Sequence, residues 1–463
     1  MISSPHTSSP KSAASELLDQ SALSQLAERL VEAAKRAGAD AADAVAVRGV
    51  SQGVEVRDGR VEESERSEGD DVGLRVLVGQ RQAVVSTNDI GGDNVAKLAE
   101  RAVAMARVAP DDKYVGLADP ALLAKNFPDL DLLDPVTPST AELERRAVEA
   151  EAAGLAVKGV TKSGGASASA GIGGMVLVTS TGFHGSYLRS SQSISMMAIV
   201  GDGTAMERDY DFTSALHGAD LDSAASVGRS AGERTVARAN PRKVATCKVP
   251  VVYDPRVAGS LVGHVINAAN GASIARKTSF LKDRLGEQLF AKGIRIVDDP
   301  LRVRGLRSQS FDAEGVVTKK LAVIDDGVLT SWLMDSATAR ELGRTTTGHA
   351  HRGVSSSPSP GSYNLHLEAG EMTPAELISD IKQGFYVTDL IGSGVNGVTG
   401  DYSRGASGFW IVNGEITYPV SEITIAGHLI EMFKSLTPAN DLAFRYATNA
   451  PTVRIEGLTI GGR

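Results

Sequence analysis

A histidine within an apolar helical stretch is the first feature of the sequence that could do chemistry. The segment LVGHVINAANGAS places His264 where a zinc peptidase helix would carry a metal ligand or a general base. Such a helix needs two imidazoles on one side and an adjacent Glu, because zinc alone lowers the pKa of its bound water only to about 7. With His264 as the first ligand, Val265 takes the base position, and the second ligand would be Ala268 or Ala269.

The alternative register of this helix also fails to supply a zinc site. If Gly263 is the first ligand position, His264 falls on the base position and Ala268 on the second ligand position. A lone His near the start of a helix is more typical of a structural hydrogen bond than of catalysis.

A second group of histidines lies in the segment TTTGHAHRGVSSSPSPGSYNLHLEAG. His349 and His351 are two residues apart, so in an extended chain their side chains face the same side, which is one way to bind a metal. His366 follows, but no third ligand of fixed spacing and no carboxylate base are apparent. The density of Ser, Pro and Gly predicts a long loop, and such loops often line a substrate cleft.

Two glycine motifs match known fingerprints by letters alone. GSGVNG, residues 392–397, follows a strand-like segment as a dinucleotide-binding loop would, but the VTGDYSRGASG after it cannot open the required helix. GRSAG, residues 228–232, resembles a nucleophile elbow, yet Ser230 lies within a predicted helix and not after a strand. The first motif therefore indicates a loop beside a cleft, and Ser230 is predicted on a helix surface.

Composition indicates a globular protein of two or three domains. The chain has 463 residues, of which 42% are hydrophobic and 22% charged, and its net charge of -8 argues against nucleic acid as the main partner. The Ser/Pro-rich residues 1–16 are predicted to form a disordered tail. The absence of a signal sequence or of any apolar run of about 18 residues, together with the single Cys247, predicts a cytosolic protein with no membrane partner.

The hydrophobic pattern predicts an α+β fold with a main boundary near residue 242. An amphipathic helix carrying Leu23 and Leu30 ends before Gly38, and alternating residues up to about 89 predict three or four antiparallel strands. Further helices are predicted from near Asp93, after Ser139, which stands three residues before a Glu, and at 221–237, with strands at 173–203.

These elements define two predicted domains. Residues 17–241 are expected to form a domain of mixed helices and antiparallel sheet, with a sub-boundary near residue 125. Residues 242–463 are rich in Gly and β-branched residues, which predicts a mostly β domain with helices only after Pro255 and near Pro374.

Several long segments resemble the TldD/PmbA family over essentially the whole chain after the tail. They are HVINAANGASIARKTSFLKDRLGEQLF, TTGHAHRG, LIGSGVNGVTGDYSRGASGFWIVNGEITYPVSEITIAGHL and APTVRIEGLTIGG. The succession of VTGDYSRGASGFW and NGEITYPV is not a pattern that composition would produce. The family fold, an α+β N-terminal domain joined to a β-rich C-terminal domain, agrees with the pattern above.

Within this family, the chain resembles the TldE (PmbA) branch and not the TldD branch. TldD proteins carry a His-Glu-x-x-x-His zinc helix and a late Cys ligand. When ARKTS is aligned with the family's Asn-Arg-Lys segment, the ligand positions are Gly263 and Ala268, the base position is His264, and ANDLAFRYATNAPT contains no Cys. The resemblance therefore implies neither a metal site nor catalytic residues in this chain.

The resemblance further implies a subunit that encloses a peptide cleft for a zinc-bearing TldD-like homologue. Family members act as heteromeric peptidases on unfolded peptides, in peptide maturation and antitoxin turnover, and an older description connects the family to modulation of DNA gyrase. The glycine-rich segments 343–363 and 391–408 are the expected cleft wall. The candidate cleft residues are His349, His351, Arg352, Asn396, Tyr402 and Arg404.

Two alternatives stay open at this point. One is a stand-alone hydrolase that uses His349, His351 and His428. The other is a non-enzymatic binding protein that acts alone, for example on gyrase or a toxin. A homodimer is compatible with any of these functions.

Overall fold

The computed structural model describes residues 19–89 and 94–462, and its architecture is α+β, as the sequence predicts. The predicted tail, residues 1–16, and the predicted helix start at Asp93 lie outside the described residues. None of the helices in the described ranges has the length and apolarity needed to cross a membrane.

The N-terminal half combines a six-stranded antiparallel sheet with helices on one of its faces. The helices are α1 (Ser21–Arg36), α2 (Asn94–Val108), α3 (Thr140–Leu155) and α4 (Ala224–Ala237). The strands are β1 (Ala41–Arg57), β2 (Arg60–Val78), β3 (Arg81–Thr87), β4 (Lys162–Thr179), β5 (His184–Val200) and β6 (Glu207–Ala215). Short 3₁₀ turns occur at Pro120–Leu122, Gly203–Ala205 and Gly218–Asp220.

The strand order is β3-β2-β1-β4-β5-β6, so one sheet runs across the predicted sub-boundary near residue 125. Because successive side chains on a strand point to opposite faces, the even-numbered residues of β1 and β4 pack under the helices. α1 and α2 cover one end of the sheet and α3 and α4 cover the other. Within residues 19–89 and 94–241, no α-helix packs on the opposite face.

Local signals explain the helix ends in this half. α1 buries Leu23 and Leu30, and Gly38 follows it with a φ of 99°, a conformation that glycine adopts without strain. Ser139 caps α3, since its hydroxyl accepts a hydrogen bond from the Glu142 amide at 3.2 Å. Ser230 lies inside α4 and is half-buried, which confirms the helical reading of GRSAG.

The C-terminal half is mostly β, and its largest sheet closes into a barrel. The barrel strands are β7 (Cys247–Tyr253), β14 (Gln383–Ile391), β15 (Asp401–Val412), β16 (Glu415–His428) and β19 (Val453–Gly461), with β17 (Thr437–Pro438) beside β19. They pair in the order β16-β15-β14-β7-β19, and pairing between β16 and β19 closes the barrel.

A five-stranded sheet, a two-stranded hairpin and short helices complete this half. The remaining strands are β8 (Ile296–Asp298), β9 (Leu321–Asp325), β10 (Val328–Leu329), β11 (Ala350–His351), β12 (Ser359–Pro360), β13 (Leu365–Leu367) and β18 (Thr448–Asn449). The helices predicted after Pro255 and near Pro374 are α5 (Pro255–Ala268) and α8 (Pro374–Ile378). Three further short helices, α6 (Gly271–Ala275), α7 (Ser336–Glu341) and α9 (Leu429–Lys434), are not predicted by the hydrophobic pattern.

Two buried carboxylates connect the halves. Asp43 of β1 pairs with Arg75 of β2 at 2.5 Å and with Arg352 of the C-terminal half, and all three side chains are at most 4% exposed. Asp209 of β6 pairs with Arg256, in the first turn of α5, at 2.9 Å. The Asp43 pair fixes the C-terminal half against the helix-free face of the N-terminal sheet, whereas Asp209 lies on the helix-covered face of β6, beside the end of α4.

We expect Asp43→Asn to lower the free energy of unfolding by about 3–5 kcal/mol, because it leaves two buried guanidinium groups without their counter-charge. Urea denaturation of the variant and the parent protein measures this difference. Glu68→Gln is the control, since Glu68 pairs with Arg66 on the surface, where such a pair contributes at most about 1 kcal/mol. An Asp43→Asn variant as stable as the parent would contradict the assignment.

The ion pairs of Asp43 also predict how the stability difference between the parent protein and Asp43→Asn depends on pH. Burial alone would raise the pKa of Asp43, but the charges of Arg352 and Arg75 lower it below its usual value. The carboxylate therefore stabilises the fold fully above the unfolded pKa of about 3.9 and loses this effect as the pH falls through the lower folded pKa. The stability gap between the parent and Asp43→Asn should accordingly narrow in acid.

Candidate functional site

A cavity of about 690 Å³ lies on the helix-free face of the N-terminal sheet, under the segment from Ala350 to Val354. The C-terminal half covers only one end of this face. There Val45 and Leu177 pack with Phe183 and Phe311. A Cβ added to Gly73 would stand 1.9 Å from the Val354 carbonyl oxygen, so a glycine is needed for this close approach. The cavity begins where this packing ends.

The floor of the cavity consists of three rows of residues that cross strands β2, β1, β4 and β5. Strand register sets the rows, because residues paired across neighbouring strands point to the same face. In strand order the rows are Asp71, Val47, Met175 and Tyr187; then Gly69, Gly49, Gly173 and Arg189; then Ser67, Ser51, Gly171 and Ser191. The middle row therefore has three adjacent positions without side chains and ends at a cation.

Arg189 and Tyr187 close the β5 end of the cavity. The Arg189 guanidinium donates hydrogen bonds to the carbonyl oxygens of Leu306, at 3.2 Å, and Ser308, while its buried Nε has no protein partner. The Tyr187 hydroxyl accepts a hydrogen bond from the Gln309 side chain at 2.5 Å. Burial lowers the pKa of Arg189, but an arginine stays charged at neutral pH.

The predicted histidine pair lies beside the cavity, in the hairpin β11–β12. His349 is fully buried: its Nδ1 is 2.8 Å from the Thr347 carbonyl oxygen, and its Nε2 is 3.4 Å from a carboxylate oxygen of Asp298. His351 lines the cavity, and both imidazole rings pack against Tyr363. Burial, with a smaller effect of His349, lowers the pKa of His351 to about 4, so its ring is neutral at physiological pH.

Arg352 lines the cavity at the contact between the halves. Its side chain is 1% exposed and pairs with Asp43, so the head group contributes to the contact between the halves. Its backbone neighbours Gly353 and Val354 line the cavity.

A second cluster gathers around His264, on α5. The imidazole packs edge-on against the Tyr402 ring, with 5.9 Å between centroids, and its buried Nε2 has no hydrogen-bond partner. The Tyr402 hydroxyl accepts a hydrogen bond from Tyr253 at 3.4 Å. Burial, with a smaller effect from the charge of Arg404, lowers the pKa of His264 to about 4. The structure thus brings His264, Tyr402 and Arg404 together from distant parts of the sequence.

Asn396 lies in the loop between β14 and β15, and His428, the last residue of β16, contacts this loop. Asn396 is exposed, and its side-chain oxygen accepts hydrogen bonds from the amides of Val398 and Thr399 at 2.9 and 3.3 Å. The Nε2 atom of His428 is 2.9 Å from the Thr399 carbonyl oxygen. The loop is followed directly by β15, in agreement with the prediction that GSGVNG does not open a helix.

The residues at the zinc-helix positions do not fit a zinc ion. Gly263 and Ala268 have no ligating atoms, and the remaining imidazole, His264, packs against an aromatic ring. Within residues 19–89 and 94–462, no three His, Cys, Asp or Glu side chains are grouped in a way that could hold a metal. This includes the set of His349, His351 and His428 that a stand-alone hydrolase would use.

The floor of the cavity and Arg189 were not predicted from the sequence. One signal was visible: β4 alternates Ala with Ser or Gly in ASASAG, which predicts that neither face of this strand carries large side chains. The strand register that puts Gly69, Gly49 and Gly173 side by side cannot be read from the sequence.

Three family models match the chain along its length. They describe PmbA/TldA metallopeptidase domain 1 at residues 42–106, the central domain at 133–239 and the C-terminal domain at 246–462. Of the two buried contacts between the halves, Asp209–Arg256 joins the second and third matched regions, and Asp43–Arg352 joins the first and third.

Relatives of known name and solved structures agree with these matches. The chain is 37% identical over 412 residues to Metalloprotease PmbA of Escherichia coli O157:H7, covering 89% of this chain and 90% of that protein. It is 37% identical over 446 residues to a PmbA homologue of Haemophilus influenzae, covering 95% and 96%.

Two crystal structures have the same fold over nearly the whole chain. A Bacteroides thetaiotaomicron protein described as a candidate modulator of DNA gyrase has a TM-score of 0.88 at 27% identity, covering 95% of this chain and 98% of that chain. TldE from Thermococcus kodakarensis has a TM-score of 0.84 at 19% identity, covering 94% and 100%. At 19% identity the second comparison supports the fold alone.

We expect the imidazole of His264 to titrate near pH 4 and to move towards 6.5 in Arg404→Gln, because that variant removes a neighbouring positive charge. NMR titration of the histidine ring signals measures both values. Arg60→Gln, at an exposed position on β2, serves as the control and should leave the titration unchanged. A His264 that titrates near 6.5 in the parent protein would contradict the buried environment.

Proposed function

The chain belongs to the PmbA/TldD family of metallopeptidases, and from this membership we propose that it is the zinc-free subunit of a two-chain peptidase that cleaves unfolded peptides. In this proposal a TldD-like homologue supplies zinc and the general base, and the present chain forms part of the enclosure around the substrate.

The observation that carries the proposal is the composition of helix α5. A zinc peptidase helix provides two imidazoles and a carboxylate, whereas α5 has one imidazole, His264, in a site that keeps it neutral. This neutral imidazole packs on Tyr402, and among the described residues the charge that acts on its pKa is that of Arg404 and not of a carboxylate. A chain that has the family fold but lacks the residues of the zinc helix is suited to forming part of the surface around a substrate and not to catalysis on its own.

The cavity on the N-terminal sheet supplies such a surface. Its floor of glycine and serine lets a polypeptide backbone approach the sheet closely. It includes Ser67, Gly69 and Asp71 of β2, a strand that β3 leaves unpaired before Val72. A cleft of this kind accepts an extended chain and excludes a folded one, which supports unfolded peptides as the substrate class.

We also infer the location of this subunit and the processes in which it acts. A cytosolic location fits the single unpaired Cys247, and peptide maturation and antitoxin turnover are the processes that the family resemblance implies. No cofactor is assigned to this chain. A homodimer in the absence of the partner is compatible with the proposal.

The second candidate function is a binding protein that acts alone. It is favoured by the description of the Bacteroides relative as a candidate modulator of DNA gyrase. The net charge of -8 makes direct contact with DNA unfavourable, so this function would operate through protein contacts.

We expect this chain to co-elute with a zinc-bearing TldD-like homologue and to be required for its cleavage of an unstructured peptide. An obligate pair of this kind buries more than about 2,000 Å² of surface. Size-exclusion chromatography of the mixed proteins and release of a fluorescent cleavage product measure the two outcomes. A homologue that is equally active alone, or the absence of a complex at micromolar concentrations, would leave the solitary binding protein as the better function.

We expect the chain purified alone to contain substoichiometric zinc and to show no peptidase activity that a chelator removes. The reason is that Gly263 and Ala268 cannot ligate a metal. Elemental analysis of the parent, His349→Ala and His351→Ala tests this, and the zinc content should be equally low in all three. About one zinc per chain that is lost in either variant would instead support the stand-alone hydrolase.

A further inference from the structure

We propose that the cavity on the N-terminal sheet binds the C-terminal end of an extended peptide, with the carboxylate at Arg189 and the preceding residues across the row of Gly173, Gly49 and Gly69. The inference rests on the proposed function in one respect, namely that the ligand is a peptide.

The glycines of this row are not required by the backbone. None of the three has a positive φ. A Cβ built on Gly69 would meet nothing within 4 Å, and on Gly49 and Gly173 it would only reach ordinary contact distances of 3.7 and 4.0 Å. Glycine inside a strand reduces stability and often marks the close approach of a ligand or another backbone. Here the missing side chains leave open the volume of the cavity itself.

The dimensions of the row correspond to a short stretch of extended chain. Four strands placed about 4.8 Å apart give a floor about 14 Å long, measured across the strands from β2 to β5. At about 3.3 Å per residue, this length accommodates about four extended residues. A ligand lying in this direction crosses the strands and does not add to the sheet as a further strand.

The charges at the two ends of the floor give the ligand a direction. At the β5 end, Arg189 has a buried Nε without a protein partner, and the positive charge of Arg307 is close enough to affect its pKa. At the β2 end, the exposed Asp71 lies on the rim. A carboxylate is attracted to the arginine end and repelled from the acidic rim, so the C-terminus enters first and the rest of the peptide leaves over β2.

The chemistry of the closed end favours a terminal carboxylate over a neutral group. A guanidinium binds carboxylates with charge-assisted hydrogen bonds, and Arg189 is held in place by the carbonyl oxygens of Leu306 and Ser308. The neighbouring His351 is neutral at physiological pH and does not compete for a negative charge.

The test measures binding of a fluorescent, unstructured peptide to this chain alone by fluorescence anisotropy. The peptide is prepared with a free C-terminal carboxylate or with a C-terminal amide. We expect the amide to bind at least about tenfold more weakly, whereas acetylation of the N-terminus should have little effect.

Four variants distinguish the cavity from the rest of the surface. Gly49→Val and Gly173→Val should fill the floor and weaken binding of the free acid by about tenfold or more, with the fold retained by circular dichroism. Gly53→Val is the matched control: it lies on the same face of β1, outside the cavity, with Ser169 Cβ at 3.8 Å as the nearest atom, and should bind normally. Arg189→Gln should bind the acid and the amide equally weakly.

Equal binding of acid and amide by the parent protein, or unchanged binding by folded Gly49→Val and Gly173→Val, would overturn the proposal. The absence of any peptide binding by the chain alone would also overturn it. These outcomes are independent of co-elution with a zinc-bearing homologue, so a failure of the carboxylate site is distinguishable from a failure of the proposed function.

Discussion

The shared carboxylate of Asp43 determines how the two halves of the molecule meet. It lies between Arg75 of the N-terminal sheet and Arg352 of a hairpin more than 300 residues further along the chain. Each of these charges would be costly to bury alone, so the hairpin is stable in only one position on the sheet. That position covers the apolar rows near Val45 and stops before the glycine row. The cavity therefore begins beside the hairpin, whose residues 350–354 line it, on the part of the helix-free face that this packing leaves open.

A second buried ion pair connects helix α5 to the N-terminal sheet. Arg256 in its first turn pairs with Asp209 of β6, and the helix then passes into the core of the C-terminal half. His264 is positioned by this helix and by Tyr402 of the barrel, two elements that belong to one packed unit. Its neutral state follows from burial and from Arg404 and requires no specific hydrogen bond.

The sequence predicts the elements well and their assembly poorly. Helices α1 and α3 and strands β1 to β3 follow from local periodicity, capping and turns, which are properties of neighbouring residues. Strand register and the pairing of Asp43 with Arg352 depend on residues far apart in sequence, and no local pattern records them. His349 and His351 were found by their spacing, but only the structure shows that they pack around Tyr363. The zinc-helix positions were identified because a family motif fixes them in one short segment.

Closure of the C-terminal barrel has a consequence for the behaviour of the protein at high concentration. A closed barrel has no free strand edge. The N-terminal sheet does have one along the unpaired half of β2, and two copies of the chain could join there by backbone hydrogen bonds. This half-strand, Arg60 to Asp71, is almost entirely exposed and carries Glu62, Glu63, Glu65 and Glu68. Repulsion between these carboxylates opposes the pairing of identical edges, and protonation in acid removes it. Self-association into fibrillar or amorphous aggregates is thus disfavoured by charge near neutral pH and becomes easier as the solution is acidified.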